Sequence, residues 1–369
     1  MGEARLSGLR FRSTLQDLVA YEPGRPVEDV QRELDLDEVV KLASNEGPFP
    51  PVPAALEAIA RGAGQLNRYP DGGMYRLREA LSLRHGVDFD QVVPAAGADG
   101  VVMYLSMAFL DPGSEIVCGW PSFPSYVLAA RKLGGVPRTV PLDTRAAYDL
   151  DGLLETVTDR TRLVYVCNPN NPTGTIVDRP ALVAFLDQVP PHVLTVIDEA
   201  YAEYVDAPGY LDGIEEAIAE GRQVVVLRTF SKIYGLAGLR IGYGVGPAPV
   251  MSELRKVQNA FDVTQTAQDA ALASLDEGPE LARRRAATAS GRLELTAGLR
   301  ALGLRVPDPV ANFVYAEVGD DAPALADRLL ATGFIVRPLA GFGAPEAIRV
   351  TVGTPAEQQA FLEALERCL

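Results

Sequence analysis

The chain has 369 residues, 47% of them apolar, a formal net charge of −15 and only two histidines, His85 and His192. That apolar content excludes a disordered chain, and no apolar run approaches the roughly 20 residues of a membrane span. The acidic balance argues against nucleic acid as a partner, and two histidines leave little for a histidine-based triad or metal site.

In chain order, residues 1–35 read as an arm, a short helix and a turn at Tyr21-Glu22-Pro23-Gly24. Met1-Gly2-Glu3-Ala4-Arg5 has no apolar stretch of a secretory signal, so the cytoplasm is the expected compartment. Cys118, Cys167 and Cys368 are too few and too scattered for a disulfide framework or a zinc site. Helices are predicted over 50–60 and 74–85. Short apolar strands follow at 115–118, 136–140, 162–167, 193–198, 223–228 and 241–245. Helical stretches alternate with them at about 98–110, 122–133, 150–157, 178–188 and 212–220. Continuous Val/Ile/Leu strands separated by helices predict an α/β fold with a mainly parallel sheet covered on both faces. A long helical region covers about 249–302. Strands at 312–318, 334–338 and 347–352, with a helix at 322–332, then suggest a smaller α+β unit. Thr354-Pro355-Ala356-Glu357 reads as a capping box opening the last helix.

Several apolar runs end in polar residues that carry chemistry. Gly97-Ala98-Asp99-Gly100 opens a helix, and the amides of a helix start attract anions. Arg240 and Ser231 add the charge and hydroxyl that a phosphate also wants. Asp198 closes the strand at 193–197, the strand end where sheet ligands bind. An ATPase strand also ends in Asp-Glu, but the chain has no G-x-x-x-x-G-K-[ST] partner loop. Lys232 follows Val224-Val225-Val226-Leu227-Arg228-Thr229-Phe230-Ser231. Alone it reads as a surface lysine. Beside cationic groups in a desolvated site its amine becomes a nucleophile and a base. Asn171 and Tyr201 are candidates for hydrogen bonds to a ring oxygen, and Phe123 either stacks on a ring or simply packs. Amine, carboxylate, amide, phenol, hydroxyl and guanidinium together match pyridoxal phosphate, with Asp198 pairing a protonated ring nitrogen.

These motifs resemble the fold-type I pyridoxal-phosphate aminotransferases, and within them the histidinol-phosphate aminotransferase family. The carriers are Lys41 to Glu46, Arg68-Tyr69-Pro70-Asp71-Gly72, Gly97-Ala98-Asp99, Asn168 to Gly174 and Asp198-Glu199-Ala200-Tyr201. Arg228 to Lys232, Gly235 to Arg240, Ala311-Asn312-Phe313, Arg337-Pro338 and Arg349 to Gly353 complete them. The resemblance implies a large pyridoxal-phosphate-binding domain (45–255), a smaller C-terminal domain (256–369) and an N-terminal arm (1–44) packing with the latter. It implies Lys232 as the Schiff-base lysine and Asp198 as the ring-nitrogen partner, with Asn171 and Tyr201 at the ring oxygen. Ala98, Asp99, Thr229, Ser231 and Arg240 would hold the phosphate. Tyr69 would reach the cofactor of a neighbouring subunit, which implies a homodimer with shared sites. Tyr21, Asn45, Arg337 and Arg349 would face the substrate.

The sequence departs from the histidinol-phosphate pattern at three places. Phe123 stands where those enzymes usually have a stacking tyrosine, Glu46-Gly47-Pro48 replaces Glu-Asn-Pro, and Gly100 replaces an acidic residue. The segments 118–123, 159–162 and 230–235 are more similar to the actinobacterial aromatic-amino-acid branch. The leading expectation is ping-pong transamination between glutamate/2-oxoglutarate and histidinol phosphate/imidazole-acetol phosphate. The alternatives are a phenylalanine aminotransferase and, further off, a threonine-phosphate decarboxylase. A transcription regulator with an aminotransferase-like domain would need a DNA-binding domain, for which there is no room before Asn45.

Overall fold

The computed structural model describes residues 9–16, 18–19 and 24–369. Its main feature is a seven-stranded sheet. In spatial order the strands are Val92–Ala95, Gly242–Val245, Val224–Thr229, Leu194–Asp198, Thr161–Cys167, Glu115–Trp120 and Val136–Pro141. The last five run parallel to one another, and Gly242–Val245 runs antiparallel to both of its neighbours. The central strands are buried along almost their whole length, as their unbroken aliphatic runs require. Val136–Pro141 is mostly exposed and carries Pro137 and Pro141, residues that a sheet tolerates at its edge.

Parallel strands deliver their C-terminal ends to one edge of the sheet. Cys167 lies level with Asp198, and Asp198 level with Leu227, so the segments 168–174, 198–201 and 229–232 leave the sheet side by side. Helix Ala98–Phe109 starts at the same edge, with Gly97 before it in a left-handed conformation (φ 78°). Its Val101, Val102 and Leu105 are buried in the main core. That core also takes Val263, Ala267, Ala271 and Leu281 from further along the chain.

A three-stranded antiparallel sheet, in the order Arg337–Pro338, Ala347–Thr351, Phe313–Glu317, has its own apolar cluster. Leu295, Leu299, Leu325, Leu329, Phe361 and Leu365 contribute to that cluster from three helices. The last helix, Pro355–Cys368, opens with the predicted capping box: Glu357 N–H donates to Thr354, and Thr354 N–H to Glu357.

Three expectations need correction. The region 249–302 is not one helical run but three helices, Ala248–Val257, Gln265–Ser274 and Gly278–Ala301. Phe261 takes a positive φ (56°), Thr264 caps the second helix, and Pro279 stands in the first turn of the third. The strand at 334–338 splits. Phe334–Ile335 pairs in parallel with Val40–Lys41, whereas Arg337–Pro338 pairs with Ala347–Thr351. The predicted helix at 212–220 is a single π-helical stretch, Gly213–Ile218, capped by the Asp212 side chain. Strand Val92–Ala95 was not among the strand candidates, because four residues interrupted by Pro94 give little periodicity to read. Among the described residues no helix is long and apolar enough to cross a membrane.

Gly242 lies directly beneath the start of helix Ala98–Phe109, where a Cβ would overlap the Ala98 nitrogen and the Gly97 carbonyl carbon. Gly242→Ala is therefore expected to destabilise the fold by about 1–3 kcal/mol through overpacking, read as a lower denaturation midpoint. An unchanged midpoint would show that the helix start has room to move.

Candidate active site

A cleft of about 200 Å³ opens where the parallel strand ends meet the three-stranded sheet. It collects Asn45, Ala98, Asp99, Phe123, Asn171, Asp198, Tyr201, Thr229, Ser231, Lys232, Arg240, Arg337 and Arg349, almost every residue singled out from sequence. Tyr21 lies outside the described residues. Tyr69 is elsewhere: 82% exposed, its ring stacked on Phe261 at 4.5 Å.

At the base of the cleft Asp198 ends its strand almost wholly buried. The Tyr126 hydroxyl donates to it at 2.5 Å, and the Ala200 N–H at 3.1 Å. Burial still holds its carboxyl above the usual range, with the Tyr126 hydrogen bond acting against that shift. Tyr126 stacks on Tyr165, and Phe123 meets it edge-on, so the carboxylate has a fixed, aromatic surround. Tyr126 did not stand out in the sequence, where it is one apolar-face residue of a helix. Its role needs the contact with Asp198 to be seen.

Lys232 points at the same space. Its ammonium donates to the Ser44 carbonyl at 3.4 Å and lies 5.5 Å from the centre of the Tyr201 ring. Burial, then the positive charges of Arg349 and Arg240, lower its pKa to about 8, against an opposing pull from Glu46 and Asp198. The Tyr201 hydroxyl accepts from the Asn45 side-chain amide at 2.9 Å. Burial raises the pKa of that phenol, so it stays protonated and able to donate. Asn45 itself has a positive φ (56°) and is held by Thr351 and Asn312 from the smaller sheet.

The other end of the cleft is an anion cradle. It combines the start of helix Ala98–Phe109 with Thr229, Ser231 and Arg240. The Ser231 N–H donates to the Thr229 hydroxyl at 3.1 Å, and Arg240 reaches the Ser231 hydroxyl at 3.5 Å. A Cβ on Gly97 would come within 2.9 Å of the Arg240 guanidinium. Glycine there lets a full positive charge lie against a helix N-terminus, an arrangement that suits a phosphate.

Near the small sheet, Arg349 donates to the Asn171 side-chain oxygen and to the Ala43 carbonyl. Arg337 is its direct partner across the strands. The neighbouring Asn168 and Asn170 turn inward instead. Asn168 accepts from the Val177 N–H, while Asn170 bonds Thr173, Ser122 and Pro121. The asparagine-rich turn thus divides its labour between structure and cleft. Ser44, within the motif Lys41 to Glu46, and Phe342 also line the cleft, and neither was singled out in the sequence.

The fold and cleft define an enzyme that binds a phosphorylated, ring-nitrogen cofactor beside a half-buried lysine. Comparison with known proteins agrees. The family described as aminotransferase class I and II matches residues 37–365. A histidinol-phosphate aminotransferase of Moorella thermoacetica is 41% identical over 98% of this chain and 93% of its own. An aromatic amino acid aminotransferase of Thermobifida fusca is 44% identical over 95% of each. Among solved structures, the histidinol-phosphate aminotransferase of Sinorhizobium meliloti in complex with pyridoxal-5'-phosphate superposes with a TM-score of 0.89. It is 30% identical, over 98% of each chain. The chain belongs to the class I and II aminotransferase family.

The donor set fits pyridoxal phosphate. Asp198 suits a protonated ring nitrogen, Lys232 an aldehyde, and the Gly97–Arg240 cradle a phosphate. In cofactor-free protein, the rate at which Lys232 captures pyridoxal phosphate is expected to rise with pH and level off above about 8, because only the neutral amine attacks. Borohydride trapping at several pH values measures this, and Lys232→Ala should trap none at the site. A rate still climbing at pH 10 would mean an unperturbed lysine.

Proposed function

We propose that this chain is a pyridoxal-phosphate-dependent transaminase that moves an amino group between glutamate/2-oxoglutarate and histidinol phosphate/imidazole-acetol phosphate. The observation that carries the substrate assignment is the facing pair Arg337 and Arg349 at the small-sheet side of the cleft. A two-arginine site can take a phosphate in one half of the cycle and a carboxylate in the other.

When bound, pyridoxal phosphate supplies an aldehyde that joins the substrate amine and an electron-poor ring that accepts the Cα electron pair. The protein's residues do the rest. Asp198 keeps the ring nitrogen protonated, and the positive charge there in turn favours the carboxylate form that burial alone opposes. Tyr126 fixes the carboxylate by its hydrogen bond. Asn171 and Tyr201 donate to the ring's phenolic oxygen, and Phe123 covers a ring face. Ala98, Asp99, Thr229, Ser231 and Arg240, grouped at one end of the cleft, would hold the phosphate. The Lys232 amine, placed in the cleft beside Tyr201, would be the group that takes the proton from the substrate Cα and returns it. Its lowered pKa leaves a sizeable neutral fraction near pH 7–8, which a general base requires. Tyr21, Asn45, Arg337 and Arg349 hold the substrate, with Asn45 tying the small sheet to Tyr201.

A second reading, an aromatic amino-acid aminotransferase, is favoured by Phe123, which offers a ring without a hydroxyl, and by the 44% identity to the Thermobifida fusca enzyme. The two readings separate on the cofactor's absorbance when each amine is added without a second substrate. Histidinol phosphate is expected to convert it fast and phenylalanine slowly. The reverse order would transfer the assignment to aromatic amino acids, and carbon dioxide release from threonine phosphate would remove both.

The same reading makes the enzyme a homodimer, with Tyr69 reaching the partner's cofactor phosphate. Supporting it, Tyr69 and Phe261 form an exposed aromatic stack beside a second cavity lined by Arg61, Arg68 and Leu66. The protein should sediment at twice its 39.5 kDa chain mass. Sedimentation at the single-chain mass with full activity would refute the shared site.

A further inference from the structure

Arg337 and Arg349 are directly opposed across an antiparallel strand pair, a placement in which like charges destabilise a sheet. Arg349 is only 4% exposed, so water screens little of the repulsion. Aromatic rings contribute to the offset, and the Phe313 ring centre lies 5.3 Å from the Arg349 guanidinium carbon. Phe342, between the two strands in sequence, has its ring centre 5.5 Å from the Arg337 guanidinium carbon and 5.1 Å from that of Arg349. Both distances fall inside the range, about 6 Å, over which a ring face attracts a cation.

The ring is held in place from behind. Phe342 is buried among Tyr315, Leu339, Ala344 and Ala347. The next residue, Gly343, has a φ of 93°, and a Cβ on it would overlap the Trp120 indole. The turn 340–343 is therefore clamped against the main sheet, which fixes the backbone that carries the phenyl ring. Phe342 lines both the cleft and the larger cavity behind it, so it forms the wall between them.

We infer that Phe342 is a specificity-determining positioning residue: its face keeps Arg337 and Arg349 together as one two-cation site and thereby sets the preference for a phosphate over a single carboxylate. The inference rests on the reading of these arginines as the substrate's anion site. A carboxylate needs one guanidinium, and Arg349 is fixed besides by Asn171 and Ala43. A phosphate has three oxygens and two charges, and gains most when both guanidiniums converge on it. Loss of the ring face should therefore weaken phosphate more than carboxylate.

The test uses holoenzyme, in which pyridoxal phosphate already fills the cofactor's own phosphate cradle. The glutamate half-reaction is followed by absorbance, with inorganic phosphate as the competing probe. Phe342→Leu keeps an apolar wall but removes the ring. It is expected to raise the phosphate Ki about tenfold and the glutamate KM by no more than about threefold, while Phe342→Tyr stays within about twofold of wild type on both. Phe342→Met should repeat the leucine result, which keeps the test open if leucine is not tolerated. A variant that merely folds less well loses active enzyme and shifts neither constant. Equal changes in Ki and KM, no change in either, a tyrosine variant as impaired as leucine, or no competition by phosphate in wild type would each overturn the inference. Failure of the histidinol-phosphate reading would instead appear as no reaction of wild type with that amine, with the Ki to KM ratio still free to respond.

Discussion

The cleft depends on one constraint, the shared register of the parallel strands. Because Cys167, Asp198 and Leu227 are level in adjacent strands, the residues just beyond them emerge within reach of a single small ligand. The asparagine turn, the buried carboxylate and the lysine loop come from segments 168–174, 198–201 and 229–232. Nothing local to any one segment brings them together. A slip of one residue in the strand Leu194–Asp198 would turn Asp198 to the opposite face of the sheet.

That register is itself locked by charge. Arg228, beside Thr229, donates to Glu199, beside Asp198, at 2.8 Å, and to Asp212 at 2.7 Å. Arg228 and Glu199 are both buried. Glu199 also accepts from the Gly213 N–H at 2.7 Å, so its charge is shared between the π-helical stretch and the neighbouring strand. Removing one member of such a buried pair costs on the order of 3–5 kcal/mol, because the other charge is left uncompensated. The strand ends that carry the cofactor residues are thus bolted to each other by the residues next in sequence to them.

Much of this was legible in the sequence, for physical reasons that differ by element. The central strands were readable because strands buried on both faces must be continuously aliphatic, as Val224-Val225-Val226-Leu227 is. Asp198 was readable because it closes such a run, and Lys232 and Arg240 because, with Asn171, Tyr201 and Ser231, they complete the donor set of one cofactor. Edge strand Val92–Ala95 was not, since its four residues leave no period. The break at 258–264 was hidden because it is set by the backbone of Phe261 and the Thr264 cap rather than by proline or glycine. Tyr126 and Phe342 were illegible for a deeper reason. Each is an ordinary core aromatic by composition, and each matters only through a contact made across the fold, with Asp198 in one case and with two arginines in the other.

The division of the cleft between two sheets has a consequence for how such an enzyme changes substrate. Lys232, Asp198 and the phosphate cradle sit on main-sheet segments whose pairing is fixed by buried strands. Arg337, Arg349 and Phe342 sit on the small sheet, joined to the main-sheet site mainly through Asn45, Ala43 and Asn171. The turn 340–343 packs on the small-sheet side of the cleft, away from the main-sheet pairing that places the lysine and the carboxylate. Relatives of similar identity that act on a phosphate ester or on aromatic amino acids are what such a separation permits. Lys232 and Asp198 are placed by the register of a buried sheet, whereas Arg337 and Arg349 are placed by the pairing of a separate, smaller one.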